Sequence, residues 1–307
     1  MVVSISRICH PAGMGKKRGI LLAVLFVALL GGLVWVLCRP SEPAYQGKPL
    51  SAWLKDLYPE WKEDVSPHAV VAFREMGTNA IPALLKIIQS YDSPFDRMIL
   101  EPGRMQSLVH FPLVEKWHQR ASERSHQRLA ATLAIYAIGT NAKPVLPALT
   151  NLLFHTNTHF FSGALAGMGP EGLSALIAAL TNQNADIRLS AAMGLKWARS
   201  DLNLVVPALI ARLSDQDRMV HFTAVLELGQ LHAEPGLAVP ALMEDFPGKD
   251  PELRSLILEA LGRFEFNAKA AVPMLLATLS DNDRAVRDEA TFALKHIDPA
   301  AAKAGVK

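Results

Sequence analysis

Between Asn184 and Asp298 the apolar and polar positions of the chain repeat every 33 residues, through four successive copies. Ile187, Ala191, Leu195 and Ala198 return as Val220, Ala224, Leu228 and Leu231, then as Leu253, Ile257, Leu261 and Phe264, then as Val286, Ala290, Leu294 and Ile297. Steps of four, four and three residues put each set on one stripe of a helix. Three residues ahead of each stripe stand Asn184, Asp217, Asp250 and Asp283, short acceptors suited to capping the free N–H groups of a first helical turn. Pro251, directly after Asp250, occupies the first helical position, which tolerates proline. A second, shorter helix is predicted ahead of the last three of these, around Pro207, Pro240 and Pro273, with Ser174 in the equivalent place one period earlier. Its stripe reads Val206, Leu209, Ile210 and Leu213 in one copy. Neither helix can bury its stripe alone, so the units must stack.

Immediately after the first stripe position comes a basic column, Arg188, His221, Arg254 and Arg287. The run Leu279-Ser-Asp-Asn-Asp-Arg-Ala-Val-Arg287-Asp-Glu-Ala290, with Val272-Pro273 before it, resembles the short bacterial HEAT-like repeat, a kind also found in phycobilisome lyases. The turn signatures of ankyrin and tetratricopeptide repeats, which share a similar period, are missing. The resemblance implies an all-α fold, a right-handed α-solenoid of about six to seven helix pairs. In such arrays each Arg is expected to reach an acid or carbonyl of the adjoining repeat and so fix the stacking angle. On this reading the caps and the basic column are structural, and His221, shorter and mostly neutral at pH 7, does the same only partly.

Toward the N-terminus the pattern loosens. Residues 66–307 form the predicted repeat region, opening with Ala69 to Met76 and Leu84 to Ile88. A second pair is expected from Leu129 to Ile138 and from Pro147 to Leu153, and an abbreviated third from Phe160 to Leu180. A Gly-Thr-Asn-Ala turn occurs at both Gly77 and Gly139, where glycine suits a helix C-terminus with positive φ. Residues 39–65 read as a polar linker, Pro40 to Gly47, followed by a capping helix in which Leu50, Trp53, Leu54 and Leu57 share a face. Residues 91–126 break the period; Leu113 to Ser122 is predicted to be a helix of its own within this insertion.

Composition changes the picture at one end only. Gly19 to Cys38 is a 20-residue run without a charge, long enough to cross a hydrocarbon core of about 30 Å, with Lys16, Lys17 and Arg18 before it and Arg39 after it. The expectation is a short basic cytoplasmic tail at 1–18, a membrane anchor at 19–38 that stays uncleaved in preference to a cleaved secretory signal or lipid attachment at Cys38, and a repeat domain exported across the inner membrane. Five of the 31 basic residues lie in residues 1–39 with no acid, so the remainder carries a formal charge of about −3. That balance gives no basic face for nucleic acid.

Candidate chemistry is sparse. The two cysteines, Cys9 and Cys38, lie outside the repeats, so a thiolate metal site or cysteine nucleophile there is excluded. His155 and His159 have the i, i+4 spacing of a metal pair, but a zinc site needs three or four ligands and no third is identifiable. His110, His118 and His126 read as surface or packing residues, and pairs such as Glu244-Asp245 and Asp288-Glu289 as surface charges. No cofactor is expected. The function these features imply is a membrane-tethered scaffold or adaptor that holds a protein or peptide partner on its concave helix face, which the second helices are expected to line. The alternative is an accessory lyase or metal-dependent enzyme with its site in residues 91–126 and 154–161.

Overall fold

The computed structural model describes residues 42–57, 66–90, 112–155 and 161–305. The predicted anchor at 19–38, Trp61, His110, His159 and most of the first half of the insertion lie outside them. Among the described residues no helix is long and apolar enough to cross a membrane.

The repeats are entered through a two-stranded hairpin, β1 (Ala44–Tyr45) and β2 (Lys48–Pro49), where a polar linker was expected. Gln46 and Gly47 form its two-residue turn, both with positive φ, at 50° and 75°. Helix α1 (Leu50–Leu57) follows and buries Leu50, Leu54 and Leu57 as its stripe predicts. Trp53 is half-buried, its Nε1 donating to the Tyr45 carbonyl at 3.2 Å, so the hairpin is clipped to the capping helix.

Seven helix pairs then succeed one another among the described residues: α2 (Pro67–Met76) with α3 (Ile81–Ile88), α4 (Pro112–Ile138) with α5 (Leu146–His155), α6 (Ser162–Ala166) with α7 (Pro170–Ala179), α8 (Ala185–Leu195) with α9 (Leu202–Ile210), α10 (Arg218–Leu231) with α11 (Pro235–Asp245), α12 (Pro251–Arg263) with α13 (Val272–Thr278), and α14 (Arg284–Ile297) with α15 (Pro299–Gly305). The stripe residues form one continuous core; Val220, Ala224, Ile257, Leu261, Ala290 and Leu294 are almost wholly buried. The chain is thus an α-helical stack of two layers, a first helix and a second helix from each pair.

Three boundaries differ from expectation. Residues 112–138 form one 27-residue helix, not two, because Ser122 to Arg128 contains neither glycine nor proline and continues the turn. Buried Arg128 ties this helix to the preceding pair by donating from Nη1 to the Ser90 carbonyl at 3.0 Å. Pro207 and Pro240 do not open their helices. Each is the sixth residue of α9 or α11, solvent-exposed, so the carbonyl four residues back that loses its partner, on Asn203 or Gly236, also faces water.

The predicted glycine turns hold: Gly77 and Gly139 have φ of 53° and 67°. The two layers are not equally spaced. A Cβ on Gly229 of α10 would lie 2.8 Å from the Cα of Ala260 on α12, and one on Gly194 of α8 would lie 2.7 Å from the Cβ of Ser162 on α6. First helices therefore meet almost backbone to backbone, whereas a Cβ on Gly236 of α11 would meet nothing within 4 Å. The glycines therefore mark where neighbouring first helices approach most closely. Gly229→Leu is expected to wedge α10 from α12 and to cost about 1–3 kcal/mol in denaturant unfolding, while Gly236→Ala stays within about 0.5 kcal/mol of the parent.

Candidate binding groove on the first-helix layer

The capping and basic columns do what their spacing suggests. Asn184 accepts from the Asp186 N–H at 2.9 Å, Asp217 from Met219 and Val220, Asp250 from Leu253, and Asp283 from Ala285 and Val286. Arg188 grips Asp215 of the next repeat with two bonds, Nη2 to Oδ1 at 2.7 Å and Nε to Oδ2 at 2.9 Å, and its Nη1 also reaches the Asn182 carbonyl. Arg254 also forks onto an acid 27 residues on, Asp281, but through its two terminal nitrogens, Nη1 and Nη2. Arg287, in the last repeat, binds only the turn before it, donating to the carbonyls of Asp281 and Asn282.

His221 is the exception that explains the others. Gly248 stands where Asp215 and Asp281 stand in the flanking repeats, so His221 turns to Asp245, with Nε2 and Oδ2 2.6 Å apart. Asp245 is therefore no surface charge: its side chain is 8% exposed, and Lys249 closes its other oxygen at 3.0 Å. Glu289 is likewise half-buried rather than solvated, and its carboxyl is raised by burial and by the nearby Glu259. At Asp215 burial works upward too, but Arg188 and the Asp217 N–H outweigh it and hold the carboxyl below its ordinary range. These groups run along the stack one repeat at a time and do not converge on a ligand.

His155 closes helix α5, and its candidate partner His159 lies outside the described residues. Among the described residues no group of three or more His, Cys, Asp or Glu could hold a metal ion. His126 lies in α4, its Nδ1 2.9 Å from the Ser122 carbonyl, beside a cavity of about 390 Å³ that opens between α1 and α4.

Convergence occurs instead on the first-helix layer, between α4, α6 and α8. A cavity of about 310 Å³ opens there, walled by Leu129, Leu133 and Tyr136 of α4, Gly163 of α6, and Met193 and Trp197. Gly163 makes room for the indole: a Cβ there would lie 3.0 Å from Trp197 Cδ1. The Tyr136 and Trp197 rings meet at 5.6 Å with a 59° tilt, and the Tyr136 hydroxyl donates to the Trp197 carbonyl at 3.2 Å, which fixes both rings. Lys196 stands at the rim, its Nζ 5.5 Å from the Trp197 ring centre.

On the other side of Lys196, Glu227 of α10 is 2% exposed in the interface with α8. Burial pushes its carboxyl up to about 7 against the pull of Lys196, and its Oε2 has no hydrogen-bond partner among the described residues. The next two interfaces put a glycine against an alanine at this place, Gly229 on Ala260 and Gly262 on Ala293.

None of Tyr136, Met193, Lys196, Trp197 or Glu227 was singled out from the sequence. The available signal was a column out of character: Lys196 stands where the next two copies have Gly229 and Gly262, and Trp197 where they have Gln230 and Arg263.

Residues 239–306 match the family model described as HEAT repeats. No curated protein matches the chain. Among solved structures, the chain is similar to an engineered protein at 20% identity over 83% of this chain and 80% of that one, with a TM-score of 0.42. A second engineered protein is 17% identical over 73% of this chain and 97% of its own length, with a TM-score of 0.38.

Proposed function

We propose that this protein is a membrane-tethered HEAT-repeat scaffold, without catalysis or cofactor of its own, that holds a protein or peptide segment at the recess between its first helices α4, α6 and α8. The observation that carries this is the aromatic-walled cavity between α4, α6 and α8, an apolar recess with rigid walls. Fixed aromatic rings lose little freedom when a partner arrives, which makes them effective anchors. The tether rests on the charge-free run from Gly19 to Cys38 and the basic block before it, an arrangement that keeps residues 1–18 in the cytoplasm and exports the repeats.

A photocrosslinking residue placed at Met193 tests the reading, with the same residue at exposed Leu237 on the second-helix layer as control. In isolated membranes a discrete adduct is expected from position 193 and none from 237. Equal labelling at both positions, or none at either, overturns the groove; recovery of the protein in the soluble fraction overturns the tether.

A further inference from the structure

Tyr136 and Trp197 are walls of two cavities, not one. Behind the apolar recess, where α4, α6 and α8 end, a second cavity of about 450 Å³ opens between the same two rings, Arg74, Arg199 and Ser200. Its character is opposite. Two guanidinium groups line it and no carboxylate does; Thr140 and Asn141 add polar side chains. Its floor is backbone, since Gly167 lies so close to α4 that a Cβ would meet the Tyr136 Cα at 2.9 Å.

Both arginines are held yet have donors to spare. Arg74 donates from Nε to the Ala137 carbonyl at 3.2 Å, and its terminal nitrogens have no partner among the described residues. The Arg199 guanidinium lies 5.4 Å from the Tyr136 ring centre and pairs with no acid among the described residues. Arg188, Arg212, Arg218, Arg254, Arg263 and Arg284 by contrast each face an Asp or Glu, whereas Arg287 is held by two carbonyls on a single terminal nitrogen. Lys196 at the rim of the apolar recess adds a third positive charge.

We infer that the groove takes an acidic peptide segment in which a carboxylate enters the Arg74–Arg199 cavity while a neighbouring apolar side chain fills the recess beside Tyr136 and Trp197. This rests on the scaffold reading above and names the chemistry of its partner. A planar guanidinium pairs with a carboxylate through two parallel bonds, and the shared ring walls fix the spacing at which an apolar neighbour must follow.

The test is selection of a random octapeptide pool displayed on phage against the full-length protein in detergent, and in parallel against the Arg74→Gln/Arg199→Gln double variant. Both substitutions are on exposed side chains and leave the core untouched. Enriched peptides are expected to carry Asp or Glu beside a large apolar residue. A synthetic peptide so selected should bind the double variant at least about tenfold more weakly, as should its Asn/Gln counterpart bind the parent. Enriched peptides without acids, bound equally by parent and variant, overturn the inference and leave the scaffold reading standing. No enrichment at all overturns the inference, and the Met193 crosslink then decides the scaffold reading separately. Displacement of nothing but inorganic phosphate from the two arginines would also overturn it, by showing a free-anion site.

Discussion

Asp215→Ala is expected to lower the unfolding free energy by about 3–5 kcal/mol, because it removes the acid from a nearly buried ion pair and leaves the guanidinium behind. The Asp215 side chain is 3% exposed and that of Arg188 14%. Arg188 forks onto it from one repeat, Arg212 approaches from the same turn at 3.4 Å, and the Asp217 N–H donates to it at 3.0 Å. One carboxylate thus fixes the entry of α10 and its register on α8. Asp215→Asn retains an acceptor for Asp217 and should lose less. Arg218→Ala, which breaks only solvent-exposed contacts to Asp250 and Glu252, should cost far less than Asp215→Ala. Denaturant unfolding followed by circular dichroism ranks the three, and a loss below about 1 kcal/mol for Asp215→Ala would remove the registry role from this pair. The pH dependence has a definite sign. Asp215 is held below its ordinary value of 3.8, so its contribution is present above that pH and is lost as pH falls through the lower folded value; parent and variant should converge in strong acid.

The ladder shows what one-dimensional periodicity transmits. A 33-residue repeat fixes which residues face the same way, so the caps, the stripes and the reach of Arg188 and Arg254 to the next repeat could be read from columns. What a column cannot carry is the partner's identity when the partner drifts. His221 was expected to act only partly, and Asp245 to be solvated; the glycine at position 248 exchanges one acid for another three residues earlier and buries it. Helix boundaries failed for a related reason. Prolines 207 and 240 mark a phase in the repeat, yet a helix can begin a turn and a half earlier when the freed carbonyl faces water.

The groove was least legible because it arises where the repeat is violated. Regular columns bring small residues together and close the first-helix layer, as at Gly229 on Ala260. Between α4 and α8 the abbreviated α6 contributes Ser162 and Gly163 in five residues of helix, and the space left above them is filled by Tyr136 and Trp197. No residue in that set is unusual alone. Which helices approach closely follows from the same steric fact, which backbone proximity reveals and amphipathic stripes do not: both helices of a pair bury a stripe, and the glycines mark where first helices touch.

Glu227→Gln is expected to make the protein more stable at pH 8 by on the order of 3 kcal/mol and to leave stability near pH 4 almost unchanged. Burial raises the folded carboxyl from 4.5 to about 7. Below 4.5 folded and unfolded chains both hold the proton and the site costs nothing extra. As pH rises from 4.5 to about 7 the unfolded chain gives up its proton while the folded chain keeps it, so folding loses stability across that window and levels off above it. Glutamine fills the same space and does not titrate, so the drop disappears. Lys196 is the positive group that eases the burden, and Lys196→Met should push the Glu227 carboxyl higher still and deepen the fall toward pH 8. Melting temperatures taken from pH 4 to pH 8 for the parent and both variants separate these cases. A parent curve parallel to that of the glutamine variant would mean that Glu227 is hydrated in solution, and that the α8–α10 interface opens further than the packing of Gly229 on Ala260 in the next interface allows.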